Sequence, residues 1–142
     1  MSQSRVSVLV PVYNMAGFLP ECLKSVVSQD WEAMEVVVID DGSTDGSGEV
    51  ARGFVGPAWE EGRIAGVVCR PHEGKPGAIR AGLAASTGEL VTIVDADDRL
   101  PAGSIRKRAE ALCESRGWTG VYGDASYINR SGTVYRRRNS RP

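Results

Sequence analysis

The sequence predicts an α/β domain with a mainly parallel sheet and helices on both faces. Three observations carry this reading: four short apolar runs rich in Val and Ile, helix-length segments between them, and polar clusters where the runs end. Strands apolar on both faces belong in a doubly covered sheet, and parallel neighbours need crossover connections that helices supply. A chain of 142 residues suits one domain. With 42% apolar and 25% charged residues, its composition is globular, which excludes disordered and fibrous classes.

The runs are Val6–Val12, Glu35–Asp40, Ile64–Cys69 and Leu90–Asp95. Helices are expected over Leu19–Ser28, Thr44–Phe54 and Gly77–Ser86. Leu19, Leu23, Val26 and Val27 share one face of the first helix, suited to packing on a sheet. Ser43 or Thr44 can cap the second helix, and Gly88 can stop the third. After Asp98 the pattern changes. An amphipathic helix is expected from Pro101 to Arg116, with Ile105, Ala109 and Leu112 on one face. Gly120–Ile128 and Thr133–Arg137 then flank the turn Asn129–Gly132 as a β-hairpin. Residues 1–142 thus form one domain, with a core over 1–101 and a helix-and-hairpin extension over 102–142.

The formal net charge is −1, so no overall field favours nucleic acid, and none is expected as a partner. No apolar run approaches the length of a membrane span, and Met1 leads almost directly into a strand, so neither a transmembrane helix nor a signal peptide is expected. A soluble cytoplasmic domain is the expectation. Cys22, Cys69 and Cys113 are odd in number and lack a CxxC, and His72 is the sole histidine, which argues against zinc or disulfides and for small buried thiols. Trp31, Trp59 and Trp118 are expected as core or edge aromatics, and a Gly/Trp/Glu-rich loop spans Gly53–Gly62. The last 13 residues hold five Arg and no acid, read as solvated surface, with phosphate or anionic lipid as the minority reading.

Ligands of open parallel sheets bind at the carboxyl ends of the strands. Those ends here read Pro11-Val12-Tyr13-Asn14, Asp40-Asp41-Gly42-Ser43-Thr44-Asp45, Arg70-Pro71-His72-Glu73-Gly74-Lys75-Pro76-Gly77 and Asp95-Ala96-Asp97-Asp98. Crowded carboxylates repel unless a cation joins them, and oxygen ligands suit Mg²⁺ or Mn²⁺ with positions open to phosphate oxygens. If extended, Asp95 and Asp97 point to one side and Asp98 away. Opposite them, Gly74–Gly77 brings a cation and backbone amides to a helix start, where anions are favoured. A metal on one side, with Lys75 and Arg80 on the other, would make a diphosphate clamp. Blander readings compete: Asp-Asp-Gly-Ser is also a good turn-and-cap sequence, Tyr13 and Asn14 can be loop residues, and His72 reads as a loop residue without a catalytic partner.

In order and spacing these segments resemble glycosyltransferase family 2, inverting nucleotide-sugar-dependent enzymes with a GT-A, Rossmann-like fold. Val6–Asn14 resembles the family's opening strand and Val38–Asp45 its second. Gly74–Leu83 is similar to a segment of hyaluronan- and cellulose-synthase-like members, and Thr87–Leu90 leading into Asp95–Asp98 resembles the approach to the DxD site. The likeness is strong over Val6–Pro101 and looser beyond. It implies that Pro11 and Tyr13 border the nucleobase, that Asp41 hydrogen-bonds it, and that Lys75 and Arg80 lie near the nucleotide and diphosphate. It further implies that Asp95 faces ribose or metal, that Asp97 is the principal metal ligand, and that Asp98 supports it. The implied reaction is inverting, metal-dependent transfer of a sugar from a nucleoside diphosphate, UDP being commonest, to an acceptor hydroxyl.

Two departures stand out. Arg80 occupies a position where related members usually carry Asn. The family's catalytic base is a carboxylate in the acceptor-binding half; Asp124 precedes that position, so no base is assigned. The chain therefore reads as a donor-binding half, truncated before an acceptor half, with a degenerate binding module as the alternative. Expected partners are the nucleotide-sugar, a glycan, lipid-linked or small-molecule acceptor, the inner membrane face, and a second copy or another chain completing the domain. Two rivals fit less well. A nucleotidyltransferase wants a Gly-rich, Arg-containing loop where Tyr13–Gly17 stands, and a receiver domain wants an Asp where the third strand ends in Cys69-Arg70.

Overall fold

Two strands, Val6–Val12 (β1) and Met34–Asp40 (β2), are buried along their whole length, and the sheet is assembled around them. The computed structural model describes residues 3–55 and 63–138; Trp59, most of the Gly53–Gly62 loop and the last four residues lie outside them. The remaining elements are α1 (Leu19–Val27), α2 (Ser47–Gly53), β3 (Ile64–Cys69), α3 (Lys75–Ala85), β4 (Leu90–Ile93), α4 (Ser104–Glu114), β5 (Ala125–Ile128) and β6 (Val134–Arg138). The sheet is parallel in the order β3-β2-β1-β4, and β5-β6 is a separate antiparallel hairpin.

Alternation along β1 divides the core. Val6, Val8, Val10 and Val12 face a large cluster with Leu19, Leu23 and Val26 of α1, Ala51 of α2, and Ile105 and Ala109 of α4. Leu9 faces the other way, joining Val37, Ile39 and Ala78 beneath α3. Helices therefore cover both faces, as the uninterrupted apolar runs predict. Gly82 lets α3 approach closely: a β-carbon there would stand 2.7 Å from Ile39 Cδ1.

Several expectations are corrected. Double coverage is complete only for the two central strands: β1 and β2 are buried throughout, whereas β3 and β4 keep partly exposed residues. Val91 and Ile93, on the α3 side of the edge strand β4, remain 43% and 44% exposed. The fourth strand stops at Ile93 rather than Asp95, since Asp98 N–H closes a turn on Asp95 O at 2.9 Å. The second helix starts at Ser47; its entry is held by Asp45, which accepts from Ser47 N–H (3.0 Å), not by Ser43 or Thr44. Helix α3 starts at Lys75 and ends before Gly88, whose place is decided elsewhere. The predicted strand over Gly120–Ile128 is confined to its last four residues. Of the thiols only Cys22 is buried; Cys69 and Cys113 are exposed. Trp31 is core, donating Nε1–H to Ser4 O, whereas Trp118 is 63% exposed.

A buried carboxylate locks the amino-terminal edge of the sheet. Glu35 (5% exposed) accepts from Ser7 Oγ (2.5 Å), Thr87 N–H (2.6 Å), Thr87 Oγ1 (3.0 Å) and Gly88 N–H (3.2 Å). Burial alone would raise its pKa, but these donors and Arg5 hold it below the ordinary glutamate value. Gly88 is required because a β-carbon there would lie 2.7 Å from Ser7 N. Replacing Glu35 by Ala should therefore orphan several buried donors at once and cost roughly 2–4 kcal/mol. Urea unfolding of E35A against wild type checks this; a loss below about 0.5 kcal/mol, the usual surface effect, would contradict it.

Candidate functional site

Connections between β1, β2 and β3 run through α1 and α2 on one face, whereas α3 crosses the other face to β4. The chain thus reverses between β1 and β4, and such a switch point leaves a crevice at the carboxyl edge. Pairing of β1 with β4 covers only Val6–Leu9, ending two residues before Pro11, which has no N–H to offer a ladder. Here a cavity of about 330 Å³ opens. Its walls gather Pro11 of β1 and Tyr13 just after it, Asp41 just after β2, His72 after β3, Lys75 of α3, and Asp95 and Asp97 after β4.

The Asp-Asp-Gly-Ser-Thr-Asp segment divides its labour. Asp40 turns inward and accepts from Ser43 N–H (3.0 Å). Ser43 Oγ accepts from Asn14 N–H, Asn14 Oδ1 accepts from Thr44 N–H (2.8 Å), and Asp45 Oδ2 accepts from Ala16 N–H (2.9 Å). These bonds pin the loop after β1, and Asn14 is held at φ 52°, a conformation tolerated by Asn. The turn-and-cap reading therefore describes Asp40, Ser43, Thr44 and Asp45, and the loop reading describes Asn14. Asp41 differs.

Asp41 is 2% exposed yet lines the cavity. Its Oδ1 accepts from Glu73 N–H (3.2 Å), its Oδ2 from Gly74 N–H (2.8 Å), and His72 Nδ1 lies 2.8 Å from Oδ2. Burial pushes its pKa up, but these amides, together with the His72 and Arg70 charges, bring it below the ordinary aspartate value. Arg70 Nε stands 3.6 Å from Asp41 Oδ1. The amides of Glu73 and Gly74, just ahead of α3, are thus spent on Asp41, and Pro76 has none, so of the backbone donors at this helix start the N–H groups of Lys75 and Gly77 remain beside the Lys75 side chain.

Lys75 Nζ pairs with Asp95 Oδ1 at 2.5 Å. The two sides of the expected clamp therefore meet directly. Asp95 and Asp97 border the same cavity, although the segment that carries them is a turn and not the extended one that the expectation assumed. Asp98 has its carboxyl pKa raised by dehydration and by the Asp97 and Asp95 charges, with Lys75 opposing. The same trio, after burial, pushes the Cys22 thiol up to about 12, making it an inert packing group. Among the described residues no three His, Cys, Asp or Glu side chains converge as a ready-made metal cage. Two carboxylates at one cavity fit a hard divalent ion that completes its shell with substrate phosphates and water. Arg80 is outside this group: its side chain is 79% exposed and lies within 4.0 Å of Glu73.

Asp97 also borders a second cavity of about 530 Å³, walled by Phe18, Glu21, Arg99 and the hairpin turn at Asn129 and Arg130. Sequence reasoning missed His72. Its ring stacks on Tyr13 with centroids 3.9 Å apart and planes 20° apart. Two signals could have found it: it is the sole histidine, and it lies in the polar segment that follows the third strand, at the ligand-binding edge of the sheet.

This arrangement defines a parallel α/β domain with an acidic loop at its switch point. The glycosyl transferase family 2 model matches residues 7–141, and the chain belongs to that family. It is 38% identical over 96 residues to the glycosyltransferase GlyG of Streptococcus pneumoniae, covering 66% of this chain and 30% of that protein. It is also 38% identical over 112 residues to the undecaprenyl-phosphate 4-deoxy-4-formamido-L-arabinose transferase of Aeromonas hydrophila, covering 77% and 34%. Among solved structures, the mannosyltransferase PcManGT of Pyrobaculum calidifontis, in complex with GDP-Man and Mn²⁺, aligns with TM-score 0.70 and 32% identity over 92% of this chain and 37% of that one. TarS of S. aureus in complex with UDP-GlcNAc aligns with TM-score 0.66 and 29% identity, covering 78% and 31%. The fold is GT-A-like, and the chain spans about a third of the length of these proteins.

The lowered pKa of Asp41 fixes the sign of a pH effect. Its ionised form is favoured in the folded state, so its stabilisation is present above the ordinary aspartate value and lost as pH falls through the lower folded-state value. Asp41→Asn should lower stability by about 1–3 kcal/mol at pH 7 and flatten the acid limb of the stability–pH curve. Urea unfolding from pH 3 to pH 7 checks both, and an unchanged acid limb would refute the assignment.

Proposed function

We propose that this chain supplies the donor site of an inverting sugar transferase that moves a sugar from a nucleoside diphosphate, most readily a UDP-sugar, to an acceptor hydroxyl. One observation carries the reading: a single cavity gathers an aromatic, a buried acceptor carboxylate, a lysine and two further carboxylates from separate strand ends. The apolar walls and Tyr13 suit a planar base, Asp41 suits its N–H, and Lys75 suits the diphosphate. TarS and PcManGT, whose structures were solved with UDP-GlcNAc and with GDP-Man and Mn²⁺, support a nucleotide-sugar as the ligand.

Asp97 and Asp95 would hold Mn²⁺ or Mg²⁺ together with the diphosphate oxygens, with Asp98 supporting from the same turn. A bound divalent ion supplies charge neutralisation for the departing diphosphate. When the diphosphate enters, Lys75 exchanges its Asp95 partner for phosphate oxygens, which frees Asp95 for the ribose or the ion. The acceptor hydroxyl attacks the anomeric carbon on the face opposite the leaving diphosphate. The second cavity, across Asp97 from the base, is where that hydroxyl would approach. No residue of the chain is assigned as base. The name of the A. hydrophila relative favours a lipid-linked acceptor. On this reading the reaction would run at the inner face of a membrane; no helix among the described residues is long and apolar enough to cross one.

A second reading, nucleotide binding without turnover or metal, draws on the direct Lys75–Asp95 pair, which already neutralises one carboxylate. Calorimetric titration with UDP, GDP and dTDP, each with and without Mn²⁺, separates the two. Mn²⁺-dependent binding that Asp97→Asn weakens at least about tenfold, a difference of about 1.4 kcal/mol, is the expected result. Equal affinity with and without Mn²⁺ would favour the metal-free module, and no binding by the folded protein would refute both. Lys75→Met should weaken nucleoside diphosphates far more than the corresponding nucleosides, which the same titrations reveal.

A further inference from the structure

Resting on the donor-site reading above, we propose that His72 is a displaceable plug: in the empty site its imidazole occupies the place of the nucleobase on Tyr13 and Asp41, and an incoming base must expel it. His72 then sets donor affinity.

Geometry leads to this through two contacts that a base would need. The first is the face of Tyr13. The imidazole lies on it at a centroid distance of 3.9 Å and a tilt of 20°, a parallel stack of the kind a nucleobase makes. While it is there, that face is closed to a ligand.

The second is the Asp41 carboxylate. His72 Nδ1 lies 2.8 Å from Asp41 Oδ2 and 3.1 Å from Asp41 O. Both partners are acceptors, so Nδ1 carries the proton and donates. Two oxygens offer about four acceptor positions. Glu73 N–H and Gly74 N–H fill two from the protein side, and Arg70 Nε crowds Oδ1 at 3.6 Å. The position facing the cavity is the one His72 fills. A ring N–H of a base can reach Asp41 only where the imidazole N–H now is.

The ring is also free to leave. The His72 side chain is 50% exposed. Its backbone is the fixed part: Gly42, at φ 77°, lies so close that a β-carbon there would be 2.8 Å from His72 N. A rotamer change therefore carries the ring into solvent without moving the loop, a change side chains of this exposure make readily. Imidazole imitates the shared chemistry of uracil, thymine and guanine, a flat ring with an N–H on its edge. Displacement by one of these exchanges a stack for a stack and an N–H donor for an N–H donor. Cytosine, whose corresponding ring nitrogen is an acceptor, leaves Asp41 facing a lone pair and is disfavoured.

Because His72 is the sole histidine, its imidazole resonances are unambiguous in the intact chain. Stacking on Tyr13 should shift its ring protons upfield in the free protein. Titration with UDP and the diamagnetic ion Mg²⁺ should move them to the positions of a solvent-exposed histidine, in step with calorimetric saturation. His72→Ala should bind UDP roughly three- to tenfold tighter, because the competent site no longer has to be vacated. His72→Asn, which keeps a polar group at this position, serves if the alanine variant is unstable. UDP binding that leaves the His72 resonances unmoved, or that weakens in both variants, overturns the plug and makes His72 a platform, with the donor site intact. Absence of nucleotide binding by wild type and both variants overturns the donor-site reading and the plug together.

Discussion

The buried carboxylate of Asp41 is the tie on which the site depends. It sits at the end of a strand buried throughout and accepts from two amides just ahead of α3. Those bonds fix where α3 begins, and so where Lys75 projects. They also fix the loop that carries His72 and Arg70. An ionised carboxylate remains buried only when donors meet it, and here the Glu73 and Gly74 amides do so from the protein side while His72 meets it on the side turned to the cavity. The same atom group thus closes the loop and presents a single position to a ligand. Structure and recognition are coupled through one side chain.

The rest of the site is held by subordinate ties of the same kind. Ser43, Thr44 and Asp45 fasten the loop after β1, which brings Tyr13 to the rim opposite Asp41. The acidic turn after β4 is positioned from below, where Cys22 packs against it and donates to Asp95 O at 3.4 Å. Carboxylates held this close raise one another's proton affinity, as Asp98 shows. Lys75 relieves part of that repulsion in the empty site. Its pairing with Asp95 neutralises one of these carboxylates, and in the proposed reaction the diphosphate takes the lysine over.

Far from the cavity, Glu35 does for the opposite edge what Asp41 does here, gathering donors from β1 and from the turn before β4. The two acids bracket β2 and bind its ends to segments distant in sequence. Between them the core needs little more than alternation of Val, Leu and Ile along β1 and β2. Solved structures 29–32% identical share the architecture, in keeping with a core whose apolar positions can exchange among themselves.

By itself the sequence determined the order and type of every element in the main sheet, because continuous Val-rich runs have few physical uses other than buried parallel strands. It also determined the family, through motifs at four strand ends, and singled out Pro11, Tyr13, Asp41, Lys75, Asp95 and Asp97, which one cavity now brings together. Only the tertiary structure decided how these groups pair. Hydrogen-bond partners 30 or more residues apart, such as Asp41 with Gly74 or Asn14 with Thr44, leave no local period to read. Arg80 looked equivalent to Lys75 because both belong to one motif; a helix turns successive residues to different faces, and Arg80 is carried away from the cavity. His72 looked idle because its partners, Tyr13 and Asp41, lie on other strands. Local pattern reports which face is apolar. Which polar groups meet across the strand ends is set by sheet order, and that exists only once the chain has folded.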